Sequence, residues 1–376
     1  MFKNIPFIIF GFFISTPIFA DAVKLSSDSY VLVDYSTMQV LENKNENKII
    51  SPASLTKAMT AYIVFDYISN GRLSLDDMVV VSKDAWKASG TRMFIEVDKK
   101  VSVSDLLKGV IVQSGNDAAI ALAEHISGSA DSFSDLMNYY AEKLGMVNTK
   151  FKNPTGLPVD GHYSTAKDLS ILAYRTIKDH PESLDYYNMK DFEFNKIFQK
   201  SSNKMLDNDF FDGMKTGFAE GSGYSYMGTA ANNNKRLIMV LSGAETSKMR
   251  FNDAEILSNQ YFDNYNEYKV ADKYKIIKEA TTSVLGGEVN YVRAAVSNDV
   301  TFLLPNNSKP KITIELKMEK SVKAPVVAGQ KIGMFIVYIN GLEAKVVDVV
   351  AVENVGYGSR HKLFFERVND LMRGGK

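Results

Sequence analysis

The sequence contains no cysteine, one tryptophan and only four histidines in 376 residues. Without cysteine the protein forms no disulfide and carries no lipid on a thiol, so its stability must come from a core that this length permits. The histidines are scattered and no His-Glu-x-x-His pattern occurs, which disfavours a zinc peptidase, and we expect neither metal nor cofactor. We expect them to be surface residues: His125, His162, His180 and His361.

An excess of charge of one sign is also missing. Lysine and arginine number 44 together, as do aspartate and glutamate, so the formal net charge is zero. This balance gives no support for nucleic acid as a partner. The hydrophobic fraction of 45% and the charged fraction of 23% are ordinary for a globular protein, and the length allows two domains.

The first twenty residues depart from this composition. Lys3 precedes an almost wholly apolar run at 5–13, and Ala20-Asp21-Ala22 supplies the small residues of a cleavage site. We predict that residues 1–20 are a secretory signal peptide, cleaved after Ala20 or Ala22, which makes the protein exported and periplasmic. An uncleaved anchor is the alternative, but the apolar run is shorter than the ~20 residues that a bilayer crossing needs.

The stretch SPASLTK at 51–57 is typical of a helix start that carries a nucleophile and a base. Ser51 suits the N-cap and Pro52 the first helical position, and the apolar residues that follow predict a buried helix. Ser54 would lie in the first turn, where free N–H groups favour developing negative charge. Lys57 would project from the same face, and burial near other cations would let its amine accept the serine proton.

Two further motifs follow in a fixed order. Ser114-Gly115-Asn116 comes sixty residues after the first motif, and Lys215-Thr216-Gly217 about a hundred after the second. The pattern Ser-x-x-Lys alone is unspecific, because it occurs five times in this chain. The three motifs in this order and spacing are far more specific, and this is the motif set of the penicillin-recognising enzymes.

The sequence therefore resembles the low-molecular-mass penicillin-binding proteins, specifically the D-alanyl-D-alanine carboxypeptidases. The resemblance is strong over 25–265, through SPASLTK, QSGNDA at 113–118 and DGMKTG at 212–217, and looser over 270–355, through APVVAGQKIG at 324–333. It implies an α+β fold, with a β-lactamase-like catalytic domain of antiparallel sheet and helices at 21–266 and a small all-β sandwich at 270–355. It also implies binding of peptidoglycan stem peptides and of β-lactam antibiotics.

The resemblance assigns a role to each motif residue. Ser54 would attack the carbonyl between two terminal D-alanines, with Lys57 as base, and water would hydrolyse the acyl-enzyme. Ser114 would pass a proton to the leaving amine, and Asn116 would bind the substrate amide and orient Lys57. The remaining assignments are the positive potential of Lys215, an oxyanion hole from the backbone N–H groups of Ser54 and Phe218, substrate binding by Lys215, Thr216 and Gly217, and a carboxylate contact from Arg250.

The end of the chain forms a separate feature. In 360–372 the apolar residues recur at helical spacing, and basic residues surround them. This pattern predicts a basic amphipathic helix at 357–376 that lies on an anionic membrane surface, at the outer face of the inner membrane. The alternative is a helix that docks on the β domain.

Local patterns predict several regular elements. The chain should form a hairpin at 30–42, a helix capped by Ser104, helices at 118–126, 133–144, 165–177 and 252–265, a hairpin at 224–242, a half-buried strand at 312–319 and a hairpin turning at Asn340-Gly341.

Three other functions are alternatives to a carboxypeptidase. A β-lactamase would need a Glu-x-x-Leu-Asn motif, and Glu182-Ser183-Leu184-Asp185 is one residue short of it. A hydrolase of the nucleophile-elbow type would need Gly-x-Ser-x-Gly, which is absent. A catalytically idle, peptidoglycan-binding scaffold of the envelope remains open, although the intact motifs argue against it.

Overall fold

The computed structural model describes residues 24–233 and 235–359, which divide into two compact units with the boundary in the chain between Asp263 and Asn264. Within these residues no helix is both long and apolar enough to cross a membrane. The predicted signal peptide at 1–20, and the predicted C-terminal helix beyond Ser359, lie outside the described residues.

The first unit contains both helices and strands. Its helices are α1 (Lys57–Ser69), α2 (Lys83–Trp86), α3 (Val103–Lys108), α4 (Asn116–Ser127), α5 (Ala130–Leu144), α6 (Ala166–Asp179), α7 (Ser183–Tyr187) and α8 (Ser247–Asn264). Its strands are β1 (Ser29–Asp34), β2 (Val40–Lys44), β3 (Met78–Val80), β4 (Lys100–Ser102), β5 (Asp191–Phe194), β6 (Ile197–Lys200), β7 (Phe211–Ala219), β8 (Gly223–Asn232) and β9 (Lys235–Ala244). The predicted hairpins and the four predicted helices of this unit are confirmed, with ends shifted by up to five residues.

Five strands form one antiparallel sheet in the order β2-β1-β9-β8-β7. Helix α6 covers β1, β8 and β9 with its apolar face. The first nine residues of α1 are all buried. The predicted buried helix after Lys57 is therefore confirmed. Strand β7 lies at the edge of the sheet, so one side of its backbone has no neighbouring strand in the sheet.

The start of α1 differs from the prediction. Ala53–Thr56 form a 3₁₀ turn whose N-cap position is held by Pro52, without a side-chain cap bond, so Ser51 is not the cap. Ala53 has a φ of 46°, in the left-handed region that residues other than glycine rarely adopt. The chain therefore bends sharply just before Ser54. Likewise the cap of α3 is Ser102, whose hydroxyl accepts from the Asp105 N–H, and not Ser104.

The second unit is all-β. Its strands are β10 (Tyr265–Ala271), β11 (Ile276–Leu285), β12 (Tyr291–Val296), β13 (Val300–Pro305), β14 (Ile312–Met318), β15 (Ser321–Lys323), β16 (Lys331–Ile339) and β17 (Leu342–Ala351). Six of them form a sheet in the order β14-β16-β17-β12-β11-β15, and β10 pairs with β13.

Two predictions for this unit have different outcomes. The β16–β17 hairpin is confirmed, and Asn340 and Gly341 have φ values of 52° and 83°, as a two-residue hairpin turn requires. Strand β14 exists, but it is not half-buried. It lies at the sheet edge with both faces largely open to solvent among the described residues, and Ile314 and Leu316 are 51% and 37% exposed.

Candidate active site

Ser54 and Lys57 form the centre of the site. The Lys57 ammonium or amine Nζ lies 3.2 Å from the Ser54 Oγ, and the lysine side chain is 1% exposed. The 3₁₀ turn places Ser54 directly before α1, and Lys57 begins that helix, so a separation of three residues brings both side chains to one side. The predicted pair is therefore present.

A loop at 153–156 holds the other side of Lys57. The carbonyl of Thr155 accepts a hydrogen bond of 2.6 Å from Lys57 Nζ. The Asn153 side chain fixes this loop, because its Oδ1 accepts from the Thr155 N–H, the Thr155 hydroxyl and the Gly156 N–H. Gly156 has a φ of 83° and touches Ala53, the residue before Ser54. The loop thus positions both members of the pair.

The electrostatics of the site favour a neutral Lys57. Burial lowers the pKa of Lys57 well below its usual value, the nearby Lys215 lowers it further, and Asp117 acts in the opposite direction. No carboxylate accepts a hydrogen bond from Lys57 among the described residues; its partners are a hydroxyl and a carbonyl. A lysine in this state can act as a base near neutral pH.

Ser114 and Lys215 form a second pair from distant parts of the chain. Lys215 Nζ donates a 2.9 Å hydrogen bond to Ser114 Oγ, across 101 residues of sequence. Ser114 ends a π-helical turn, Gly109–Gln113, with a φ of 64°, and such strained backbone is often found at functional sites. Burial, and then Arg250, lower the pKa of Lys215 to about 7.

Asn116 lies in the site and bonds to two backbone carbonyls. Its Nδ2 donates a 2.6 Å bond to the carbonyl of Ser89, and its backbone N–H donates to the carbonyl of Thr91. Among the described residues the hydrogen-bond partners of Lys57 are Ser54 and Thr155. The role of Asn116 in binding a substrate amide and orienting Lys57 stays a prediction.

Asp117, which the sequence analysis did not select, holds the neighbouring loop. Its carboxylate is 1% exposed and accepts from the backbone N–H groups of Met93, Phe94 and Ile95, and from that of Ala118. Three of these bonds come from Phe94 and its two neighbours, and Phe94 has a φ of 68°. The position directly after the second motif was the available signal in the sequence.

The third motif lies on the edge strand β7. The Thr216 hydroxyl is 2.6 Å from the hydroxyl of Ser202. A Cβ built on Gly217 would lie 3.3 Å from the carbonyl oxygen of Pro52, so the motif runs against the 3₁₀ turn that carries Ser54. Phe218 follows on the same strand, with its side chain 56% exposed and its ring centroid 4.5 Å from that of Tyr224.

Arg250 lies behind this strand and is buried. Its Nη1 donates to the carbonyls of Gly217 and Ser225, at 2.8 Å and 3.0 Å, and its Nη2 donates to the Ser247 hydroxyl. Burial lowers the pKa of Arg250 to about 10, so it remains a cation at neutral pH. Its Nε has no hydrogen-bond partner among the described residues. The arginine therefore fixes the backbone of the third motif and adds positive charge near Lys215.

Two histidines contradict the expectation of surface positions. His180 is 2% exposed and His162 is 8% exposed. The Lys152 N–H donates to Nδ1 of His162, so the proton lies on Nε2, which donates to the Thr56 hydroxyl at 2.9 Å. Burial lowers the pKa of His162 to about 4. Within the described residues, no three histidine, aspartate or glutamate side chains are grouped so that they could hold a metal ion.

A buried serine–lysine pair joined to a second serine–lysine pair, on an antiparallel sheet flanked by helices, defines a serine hydrolase of the penicillin-recognising class. The chain matches the family model for D-alanyl-D-alanine carboxypeptidase over residues 16–246, and the model for the C-terminal domain of penicillin-binding protein 5 over 265–357. The chain therefore belongs to the D-alanyl-D-alanine carboxypeptidase family, and it is a peptidase of that serine-type family. The predicted family and fold class are confirmed.

Individual relatives are similar along most of their length. The D-alanyl-D-alanine carboxypeptidase DacC of Escherichia coli is 36% identical over 94% of this chain and 89% of its own. The structure of penicillin-binding protein 5 from Haemophilus influenzae has a TM-score of 0.82 and 34% identity, over 90% of this chain and 99% of its own. Penicillin-binding protein D2 from Listeria monocytogenes, solved in an ampicillin-bound form, has a TM-score of 0.59 and 34% identity, over 64% and 98%.

Proposed function

We propose that this protein removes the terminal D-alanine from peptidoglycan pentapeptide stems through an acyl-enzyme on Ser54, and that penicillin acylates the same serine. The observation that carries the proposal is the 3.2 Å contact between Ser54 Oγ and a fully buried Lys57 whose other partner is a carbonyl. A buried lysine without a carboxylate partner is suited to accept a proton, and a serine without such a base is a weak nucleophile.

In the acylation step the Ser54 oxygen attacks the carbonyl carbon between the two D-alanines, while its proton passes to Lys57 Nζ. The bond to the departing D-alanine then breaks, and its amine receives a proton through Ser114, which Lys215 holds at 2.9 Å. The backbone N–H groups of Ser54 and Phe218 stabilise the oxyanion, and one such donor typically contributes on the order of 10²–10³ in rate. Water then attacks the ester and releases the shortened peptide.

Substrate binding uses the open edge of β7. An extended peptide can add to this edge as another strand, beside Thr216 and Gly217. Lys215 and Arg250 give this end of the site positive potential that suits a terminal carboxylate, and Asn116 would bind an amide of the substrate. Arg250 Nη1 is committed to two backbone carbonyls and its Nε is buried, so the remaining Nη2 hydrogen is the group left for a carboxylate.

The test begins with the intact mass of the mature protein after brief exposure to benzylpenicillin, beside Ser54→Ala. We expect one stoichiometric adduct that maps to the Ser54 peptide and is absent from the variant. Release of D-alanine from a peptide ending in D-Ala-D-Ala should likewise require Ser54 and Lys57. A folded protein that forms no adduct and releases no D-alanine would instead favour the idle envelope scaffold.

The same experiment separates the β-lactamase alternative. The penicilloyl adduct of a carboxypeptidase should last much longer than one turnover of the peptide substrate takes. The reason is that the chain lacks the glutamate motif that activates a deacylating water in β-lactamases. Rapid loss of the adduct with turnover of free penicillin would support the β-lactamase function.

Export and membrane attachment complete the proposal. We infer a signal peptide at 1–20, a periplasmic location, and a basic amphipathic C-terminal segment that holds the protein on the outer face of the inner membrane. Tyr357 forms a β-bridge with Gly287, so this first residue of the predicted segment pairs within the β unit. Deletion of 360–376 should release the protein from membranes and leave penicillin acylation intact. A truncated protein that still sediments with membranes would refute this attachment.

A further inference from the structure

One end of the all-β unit exposes a group of apolar and aromatic side chains. Each is between 47% and 67% exposed, and we call the group the terminal apolar patch: Leu285, Val289, Tyr291, Val327 and Tyr357. We propose that this patch contacts the surface of an anionic lipid bilayer, as a second contact next to the C-terminal segment. The inference rests on the proposed membrane location.

Strand register brings the patch residues together. Ser283 lies opposite Tyr291 in the β11–β12 ladder, and Leu285 follows two residues after Ser283, on the same face. Val289 lies in the turn that joins these two strands. The intervening Val284 and Val292 are 3% and 0% exposed. Buried and exposed side chains therefore alternate along these two strands, and the alternation places Leu285 and Tyr291 on the outer face.

The last described residues fasten onto the same turn. Tyr357 bridges Gly287, and the Gly358 N–H donates to the carbonyl of Gly286 at 2.8 Å. Val326 bridges Val355, which brings the adjacent Val327 to this end of the unit. All five patch residues therefore surround the point at which the chain leaves the β unit.

The chain that follows supplies the argument for a lipid partner. Residues 360–376 carry five lysine and arginine side chains against two acidic ones, Glu366 and Asp370. This basic stretch begins two residues beyond Gly358, which is bonded to the turn that carries the patch. A segment held at an anionic surface would bring the patch to that surface. Tyrosine and aliphatic side chains of this kind suit the boundary between headgroups and acyl chains.

The charge next to the patch is balanced. Lys323 is exposed and pairs with Leu285 in the parallel β11–β15 ladder. Glu288, the acidic residue of the turn, accepts from the Gly356 N–H at 2.9 Å and keeps its negative charge, so the attraction to anionic lipid comes from the basic residues of 360–376. A protein partner would use the same apolar surface without requiring anionic lipid, so lipid composition distinguishes the two.

The first experiment measures binding of the mature full chain to vesicles of phosphatidylglycerol and phosphatidylcholine. The patch variant combines Leu285→Ser, Val289→Ser and Val327→Ser. The control variant combines Ile314→Ser, Leu316→Ser and Leu342→Ser, which are equally exposed aliphatic positions of the same unit. We expect the patch variant to bind about tenfold more weakly and the control variant to bind like the parent.

The second experiment reads the contact directly. In a Trp86→Phe background, the chain's one tryptophan is removed, and Val289→Trp or Leu342→Trp introduces a single probe. Brominated lipid should quench the probe at 289 and leave the probe at 342 unaffected, since β17 separates Leu342 from this end of the sheet by roughly 30 Å. Unchanged binding of the patch variant, or equal quenching of both probes, would overturn the proposal.

Penicillin acylation of Ser54 is measured in the same samples and separates this inference from the proposed function. If the unmodified protein forms no penicillin adduct on Ser54, the catalytic proposal is refuted while the vesicle result still holds. A chain truncated after Ser359 tests the C-terminal segment: normal vesicle binding without it would refute that attachment while a weakened patch variant still supports the patch.

Discussion

The contact between Gly156 and Ala53 gives the sharpest test of how the site is built. A Cβ added to Gly156 would lie 1.8 Å from the carbonyl oxygen of Ala53, whereas real Cβ atoms keep at least 3.0 Å. One of the two backbones must therefore move by about 1.2 Å, and Ala53 directly precedes Ser54. A displacement of ~1 Å in a catalytic group can cost on the order of 10²-fold in rate. We expect Gly156→Ala to slow penicillin acylation by about that factor.

The matched control is Gly145→Ala. Gly145 has the same φ of 83° as Gly156, but a Cβ there would meet nothing within 4 Å. Both variants impose a left-handed alanine, which costs roughly 1–2 kcal/mol of stability. Only Gly156→Ala adds the collision with the 3₁₀ turn.

The assay is the second-order rate of penicillin acylation, followed by intact mass, with thermal unfolding measured on the same samples. We expect both variants to unfold at lower temperature, by about 2–4 °C per kcal/mol, and only Gly156→Ala to lose acylation rate. If both variants acylate at the parental rate while folded, the loop does not position Ser54 and the reasoning is refuted.

Three other predictions follow. The rate of penicillin acylation should rise with pH through the lowered pKa of Lys57, because only the neutral amine accepts a proton. The rate should fall again as Lys215 loses its charge near its pKa of about 7. A rate that keeps rising to pH 9 would contradict the role of Lys215. Asp117→Asn should reduce the free energy of unfolding in urea by about 2–4 kcal/mol, because the new amide N–H groups oppose backbone donors, while the exposed Asp98→Asn should not. Ser202→Ala should lower kcat/KM for a D-Ala-D-Ala peptide about three- to tenfold with only a small fall in Tm, and equal kinetics would show that the Thr216 hydroxyl needs no partner.

Sequence reasoning succeeded where the geometry is local. The separation of three residues between Ser54 and Lys57 is enough to bring them to one face of a helix start, whatever the rest of the chain does. The turn at Asn340-Gly341 is equally local, because both residues tolerate positive φ. The motif order identified the family because unrelated sequences rarely carry all three motifs at these distances.

Sequence reasoning failed where a contact depends on the packing of segments that are far apart in the chain. No local pattern says that the Thr155 carbonyl, 98 residues away, completes the surroundings of Lys57, or that Asp117 gathers the N–H groups of a loop more than twenty residues earlier. The burial of His162 was also missed, since its partners lie on Thr56 and Lys152. Specific hydrogen bonds offset the cost of burying a polar side chain, and these bonds exist only in the folded chain.

The sequence by itself thus determined the family, the three motifs, the serine–lysine pair and most regular elements, because these follow from residue type and short spacing. Only the tertiary structure decided that Lys215 joins Ser114, that the buried Lys57 bonds to a hydroxyl and a carbonyl, and that Arg250 bonds to the backbone of the third motif. The physical reason is that a proton-accepting lysine depends on desolvation and on neighbouring charges, and both are set by which distant segments pack around it.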